Sequence, residues 1–165
     1  MSRPAVHLPY RPRDYLILAL GVLALGLETA YTAMHWSRLP AAVPTAFGAA
    51  GRPTAWGNRD NLLILPPVTL VLLAAGALAS RYPRYFNYPA VVTEANARPL
   101  YSLGRLLVEL LASETAVLLL VAQRTLVLMA LGVASGTLPI VLLLVLITLT
   151  IVAFVPAFRR AGRSP

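Results

Sequence analysis

Residues 138–158 read LPIVLLLVLITLTIVAFVPAF, a run of 21 residues without a charged side chain. At 1.5 Å per residue, a helix of this length reaches roughly 30 Å, which is the thickness of the hydrocarbon core of a bilayer. The run is almost purely aliphatic and has no polar face to turn towards water. It predicts a helix that faces lipid broadly and indicates an integral membrane protein.

Three more apolar runs precede this segment, at residues 15–36, 62–80 and 103–125. The first is longer than the apolar part of a secretory signal peptide and lacks a clear cleavage site, so we expect it to be retained. Pro66 and Pro67 stand in the first turns of the second run, where a missing backbone donor costs little, and predict a kink there. The predicted fold class is all-α: an integral membrane four-helix bundle that forms a single domain, residues 1–165.

The composition agrees with a membrane protein, because 58% of the 165 residues are apolar and only 12% are charged. The net charge is +8, but the arginines are scattered through the connections, so nucleic-acid binding is not expected. The chain has no cysteine and two histidines, His7 and His35, so we expect no metal and no cofactor. It lacks His-Glu-x-x-His, paired aspartates and a Ser-His arrangement, so we expect no catalytic residues and no enzyme.

The arginines predict the orientation in the membrane. Ten of the 14 fall in the N-terminal segment, in or just after the connection at residues 81–102, and in the C-terminal tail. Cytoplasmic loops carry the excess of basic residues. We therefore predict that both termini are inside, in a bacterial cytoplasmic membrane. Residues 37–61 then form an outer loop and residues 81–102 an inner loop.

Both loops are rich in residues that fix the backbone. The outer loop contains LPAAVPTAFGAAGRPTAWGNR at residues 39–59, whose prolines and glycines predict an ordered structure rather than a flexible tether. The inner loop contains FNYPAVVTEANARPLY at residues 86–101. Here Thr93 is predicted to cap a short inner helix, with Glu94 favourably placed near its N-terminus. Because Pro99 would break a helix that continued from Thr93, we predict a short inner helix or a turn, followed by the third span.

These two stretches resemble motifs of an uncharacterised bacterial membrane domain found at the start of SdpI-like immunity and signalling proteins. The motifs are Leu-Pro-x-x-Ile-Pro-Thr-His-Phe…Gly-x-Pro-Asp-x-Trp-Gly and Phe-Asn-Tyr-Pro-x-x-Ile-Thr-Glu-Glu-Asn-Ala. The resemblance covers residues 39–101. It implies a module for peptide-toxin immunity or signal transduction that acts by binding, with an extracellular peptide outside and a cytoplasmic regulator inside.

The chain departs from these motifs at several positions. The family's His falls on Ala46, its Asp on Thr54 or Ala55, its Lys on Arg59 and its second Glu on Ala95. Any proton or metal role of that His and Asp is therefore absent here. The candidate binding residues are Pro44, Thr45, Phe47, Gly51, Arg52, Trp56, Asn87, Tyr88, Pro89, Thr93, Glu94 and Asn96. The structural alternative is that they cap helix ends and anchor the interface.

Four charged residues stand inside the predicted spans: Glu28, Glu109, Glu114 and Arg124. A charge at the bilayer centre costs roughly 2.5–3.5 kcal/mol, so we expect each of these residues to have a structural or functional role. Glu28 and Arg124 are predicted to pair, because they lie at similar depths. Proton or cation handling and helix association are the alternatives.

For the whole chain, the alternatives to a binding module are a small proton-coupled transporter that uses the three glutamates, and an accessory subunit of a larger membrane complex. Its oligomeric state is not predicted.

Overall fold

The computed structural model describes residues 3–48, 52–133 and 138–163. Its helices are α1 (Pro12–His35), α2 (Leu65–Ala79), α3 (Ala97–Ala130) and α4 (Leu138–Gly162). Each of them, taken with the short 3-10 turns that flank α1 and α2, is long and apolar enough to cross a membrane. The predicted all-α membrane bundle of four helices is confirmed.

Helix α3 is the centre of the bundle, and α1, α2 and α4 each pack against it. Two glycines allow the helices to approach one another closely. A side chain at Gly21 of α1 would collide with Leu73 of α2 and crowd Ser113 of α3, and one at Gly76 of α2 would collide with Ala112 of α3. Small residues that let backbones approach are a common way to pack helices in lipid. They bring α1, α2 and α3 together, while most of α4 stays exposed.

Helix α3 begins earlier than expected, and of the two predicted alternatives before it, a short inner helix or a turn, the structure has the turn, at residues 94–96. The helix starts at Ala97, so Pro99 lies in its first turn. Backbone N–H groups in that turn have no partner within the helix, so a proline there costs little. Thr93 is not the cap. Its N–H donates to Asn96 Oδ1 at 2.8 Å, and Asn96 N–H donates to Thr93 Oγ1 at 3.3 Å, in a turn that precedes the helix.

The ordered outer loop contains a two-stranded antiparallel hairpin. Strand β1 covers Ala42–Phe47 and strand β2 covers Pro53–Asn58, with Pro44 opposite Trp56 and an irregularity next to Thr45. Residues 42–58 show no regular alternation of apolar and polar residues, so these strands have no signature in the sequence. Prolines are tolerated in this sheet because both strands are edges.

The opposite end of the bundle collects the N-terminal segment, the 81–96 connection and the end of α4. Arg3 Nη1 donates to the carbonyl oxygen of Arg84 at 2.9 Å, and Tyr101 Oη donates to that of Pro4 at 3.1 Å. Asn96 Nδ2 reaches the carbonyl oxygen of Gly162 at 3.5 Å. Both chain ends therefore lie at one end of the bundle, which an even number of spans requires. That this end is cytoplasmic stays a prediction.

Candidate functional site

The hairpin is anchored to the bundle by a small apolar cluster. Val43 of β1 is fully buried. It packs with Leu39, with Leu62 and with Val127, which belongs to α3. The backbone supports this position, since the N–H of Arg59 donates to the carbonyl oxygen of Ala41 at 3.0 Å. The hairpin is thus seated on the outer ends of the helices by residues that the sequence analysis did not single out.

The predicted outer residues divide into buried and exposed positions. Pro44 is buried and belongs to the support of the hairpin, whereas Thr45 and Arg52 are exposed. Phe47 is 40% exposed and Trp56 is 57% exposed. Gly51 lies outside the described residues. We call the exposed set of Thr45, Phe47, Arg52 and Trp56 the hairpin surface.

Two grooves meet at Phe47, one on each side of it. The first has a volume of about 230 Å³ and lies between the hairpin and the outer parts of α3 and α4; it is lined by Ala122, Thr125, Leu126, Met129 and Ile140. The second, of about 320 Å³, runs between the hairpin and the start of α2; it is lined by Val43, Pro44, Thr45, Asn61, Leu62, Ile64, Leu65 and Leu126. Both linings are mainly apolar.

The predicted inner residues divide in the same way. Asn87, Pro89, Thr93 and Glu94 are exposed. Asn96, by contrast, is buried, and its Nδ2 donates to the carbonyl oxygen of Val91 at 3.0 Å. Asn96 therefore holds the turn in shape and does not present its side chain to a partner.

Tyr88 is also turned inward. Its hydroxyl donates to the carbonyl oxygen of Pro83 at 2.7 Å. Its ring packs against Tyr101 and Phe158, with centroid distances of 5.7 and 5.9 Å. Burial raises the pKa of the Tyr88 hydroxyl above its ordinary value, with the neighbouring Tyr101 adding to the shift and Arg3 opposing it. A side chain at Gly104 would collide with this hydroxyl, so Gly104 makes room for it.

Arg105 is a structurally important residue that the sequence analysis counted only as a topogenic charge. Its Nε donates to the carbonyl oxygen of Ser80 at 3.1 Å, and its two terminal nitrogens donate to those of Pro9 and Leu8 at 3.3 and 3.0 Å. The guanidinium also lies over the ring of Tyr10, 4.5 Å from its centroid. Arg105 thereby fastens the N-terminal segment to the inner end of α2 and α3. Its place inside the third predicted apolar span was the available signal.

Beside Arg105 lies an arginine-lined pocket of about 180 Å³ at the inner end. Asp14 sits in it, almost completely buried, and accepts hydrogen bonds from the backbone of Arg11 at 2.8 Å and from Arg13 Nε at 3.2 Å. The pocket is lined by Leu8, Pro9, Arg11, Arg13, Asp14, Arg98, Ser102 and Arg105. Asp14 offsets part of the positive charge collected there.

The predicted pair of Glu28 and Arg124 is not formed, and that prediction was wrong. Glu28 is completely buried, whereas Arg124 is exposed. Within the described parts of the chain, the one ion pair joins Arg13 and Asp14. The neighbouring residue Gln123 faces the bundle instead, because one position along a helix turns a side chain by about 100°.

The other two glutamates differ in their contacts. Glu109 is completely buried, and neither of its carboxyl oxygens has a hydrogen-bond partner. Glu114 accepts a hydrogen bond from Thr150 Oγ1 of α4 at 2.7 Å through one oxygen, and its other oxygen has no partner. Across the described residues, the buried side-chain atoms without a partner are all acceptor oxygens: both of Glu28, both of Glu109, one of Glu114 and Oε1 of Gln123.

Comparisons with known proteins reach part of the chain. Residues 23–70 match the family described as Domain of unknown function (DUF1648), a region that holds the outer half of α1, the hairpin and the start of α2. An uncharacterized protein of Archaeoglobus fulgidus is 39% identical over 82 residues, which cover 45% of this chain and 45% of that protein. The similarity thus spans less than half of that relative. No solved structure matches the chain. Its four apolar helices make it a multi-pass membrane protein with a region similar to a domain of unknown function.

Proposed function

We propose that this chain is a binding module of a bacterial cytoplasmic membrane, with an SdpI-like role in immunity to a peptide toxin or in signal transduction. It acts by non-covalent recognition and not by catalysis. The hairpin surface meets an extracellular peptide, and the inner loop meets a cytoplasmic regulator. The observation that carries the proposal is that Phe47, Arg52 and Trp56 are exposed on a hairpin that is anchored by other residues.

The separation of anchor and surface favours recognition over a merely structural cap. Val43 and its apolar neighbours pack the hairpin onto the bundle, and the exposed side chain of Trp56 is not part of this cluster. Aromatic residues and arginine contribute the largest single energies in many binding interfaces. A cap alone would need the anchor but not the hairpin surface.

The two grooves beside Phe47 support a peptide as the partner. They are open, mainly apolar and long enough in combination to take several side chains of an extended or helical peptide. Concave apolar surfaces with a few polar groups at the edge are typical ligand sites. Arg52 would add attraction for an acidic group on the peptide.

The inner loop is the proposed contact for a regulator. Asn87, Pro89, Thr93 and Glu94 are exposed there, and Val91 between them is 82% exposed. The end of α4 touches this loop through Asn96, which connects it to a membrane span.

The test uses Arg52→Ala and Trp56→Ala in cells exposed to a candidate toxin peptide encoded beside this chain. We expect each variant to remain folded in detergent and to lower protection by about tenfold or more, since an interfacial anchor is worth at least 1–2 kcal/mol. Tyr85→Ala is the matched control, because Tyr85 is 67% exposed at the opposite end of the bundle.

If both hairpin variants stay folded and protect as well as the wild type, recognition by the hairpin surface is excluded. The hairpin would then serve as a cap, and the role of an accessory subunit of a larger membrane complex would replace the present proposal. That role requires the chain to copurify with one partner in a fixed ratio.

A further inference from the structure

A polar cluster lies between α1, α2 and α3 in the outer half of the bundle. At its centre is Glu28 of α1, which is 0% exposed and has no hydrogen-bond partner for either carboxyl oxygen. Thr69 of α2 lies beside the carboxyl group, and Thr32 stands one helical turn further along α1. Gln123 of α3, also 0% exposed, reaches the cluster from the third side.

The hydrogen-bond donors around Glu28 are all used by other groups. Thr69 Oγ1 donates its hydrogen to the carbonyl oxygen of Leu65 at 3.0 Å, and Thr32 Oγ1 donates to the carbonyl oxygen of Glu28 itself at 3.0 Å. Each hydroxyl has one hydrogen, so neither can also donate to the Glu28 carboxyl group. Both hydroxyl oxygens retain free acceptor capacity.

Gln123 adds another acceptor and no free donor. Its Nε2 donates to Thr32 Oγ1 at 2.7 Å and to the carbonyl oxygen of Leu62 at 2.8 Å. A carbonyl oxygen can only accept, so the contact with Leu62 fixes which end of the amide is nitrogen. Gln123 Oε1 is consequently left without a donor.

Glu28 also lacks a counter-charge. Helix α2 contains no charged residue. On α3, Arg124 is exposed and therefore does not supply a counter-charge to Glu28. A buried carboxylate without a partner is very costly, so Glu28 must either carry a proton or bind a cation.

We propose that Glu28, Thr69 and Gln123 form a binding site for a monovalent cation of the Na⁺ type. Hard cations bind carboxylate, hydroxyl and amide oxygens, which are the groups left unsatisfied here. One carboxylate with neutral oxygens balances a single positive charge. A proton on Glu28 could bridge only two of these oxygens, whereas a cation contacts several at once. This proposal is independent of the role of the hairpin surface.

A groove gives the cation a route from the outer end. It lies between α1 and α2, has a volume of about 340 Å³, and is lined by Thr29, Thr32, Ala33, Trp36, Leu63 and Pro66. Thr32 belongs both to this groove and to the hydrogen-bonded cluster. The route therefore approaches the site from the side on which the hairpin lies.

The test measures the Tm of the purified full chain in detergent, with NaCl exchanged for N-methyl-D-glucamine chloride at constant ionic strength. At a hundredfold excess of Na⁺ over its Kd, we expect the wild type to gain roughly 5–10 °C. Glu28→Gln should lose this gain and yet be at least as stable as the wild type without Na⁺, because it no longer buries a charge. Asp60→Asn is the control, since Asp60 is exposed.

Thr69→Val provides the second arm, because it removes one ligand oxygen and keeps the shape and the charge of the site. In this variant, the Na⁺ concentration at which half of the Tm gain is reached should rise by about tenfold. Binding of radioactive ²²Na⁺ to the wild type and to Thr69→Val measures the same difference if Glu28→Gln does not fold. A wild-type Tm that responds to pH but not to Na⁺ or K⁺ overturns the proposal and assigns a proton to Glu28. A Na⁺ gain that persists in Glu28→Gln overturns it as well.

Discussion

The two ends of the bundle are closed in different ways. At the outer end, the chain between α1 and α2 forms the β1–β2 hairpin, whose strands bond to each other and whose Val43 provides the anchor. At the inner end, residues 3–11 of the N-terminal segment have no regular secondary structure. Its carbonyl oxygens accept hydrogen bonds from side chains instead, above all from Arg105 and Tyr101.

This difference follows from how each segment satisfies its backbone. Buried or half-buried peptide groups need hydrogen-bond partners, and strands supply them to one another. An irregular segment must take its partners from side chains. At the outer end, side chains such as Arg52 and Trp56 are therefore exposed and free to contact a partner. At the inner end, the side chains of Arg105 and Tyr101 donate hydrogen bonds to the backbone of the N-terminal segment. We infer that the outer end is the better candidate for a ligand surface.

The largest effect should come from Arg105→Leu, which removes the donors of the inner end. Three carbonyl groups would lose their partner, and the N-terminal segment would detach. We expect a loss of about 3–5 kcal/mol in the free energy of unfolding, measured by denaturant titration in detergent. Arg98→Leu is the control, because Arg98 is exposed on the same helix. Equal losses in the two variants would mean that the side-chain bonds at this end are unimportant.

At the outer end, Val43→Ala should have a smaller but clear effect. It leaves a cavity among Leu39, Leu62 and Val127, and we expect a loss of about 2 kcal/mol together with faster proteolysis of the hairpin. Trp56→Ala should change the unfolding free energy by less than about 0.5 kcal/mol, because Trp56 is exposed. If Trp56→Ala destabilises as much as Val43→Ala, anchor and hairpin surface are not separate.

Tyr88→Phe should cost about 1 kcal/mol through loss of the bond to Pro83. Burial raises the pKa of the Tyr88 hydroxyl in the folded state, so this hydroxyl contributes stability that is fully present below the unfolded pKa of about 10. That contribution is lost as the pH rises above this value, because the unfolded chain then releases its proton first. The Tm of the wild type should accordingly fall at alkaline pH more steeply than that of Tyr88→Phe. Tyr85→Phe, an exposed change in the same loop, is the control, and equal slopes for the wild type and Tyr88→Phe would contradict the assignment.

The smallest effect on the protein itself should come from two cysteine substitutions that determine which end is outside. Ala55→Cys on the hairpin should react with an impermeant thiol reagent in intact cells, and Val91→Cys should react only after permeabilisation. Both positions are exposed and the chain has no cysteine of its own, so neither change should alter stability by more than about 0.5 kcal/mol. The reverse labelling pattern would exchange the two ends and move the proposed peptide surface to the cytoplasm.

The exposure of the candidate binding residues could be predicted only in part. The motif residues Phe47, Arg52 and Trp56 are exposed, as a recognition surface requires. Tyr88 and Asn96, taken from the same kind of motif, turned out to face inward. Their residue types are compatible with either position. Whether a tyrosine meets a partner or packs at Gly104 depends on what the fold places opposite it.

The sequence by itself determined the four spans. Transfer of a helix into lipid depends on the sum of its side chains, so a run such as residues 138–158 is decisive without any tertiary contact. The order of the outer loop could also be predicted from the sequence, because proline and glycine determine which backbone angles are allowed at their own positions.

Only the tertiary structure decided which side of each helix faces the bundle. Neighbouring residues differ by about 100° around a helix, and the rotation of the helix is set by the helices packed against it. For this reason Gln123 and not Arg124 reaches the polar cluster, and Glu28 is buried without a counter-charge. The bonds of Arg105 to the N-terminal segment likewise join residues more than 90 positions apart, which no local pattern encodes.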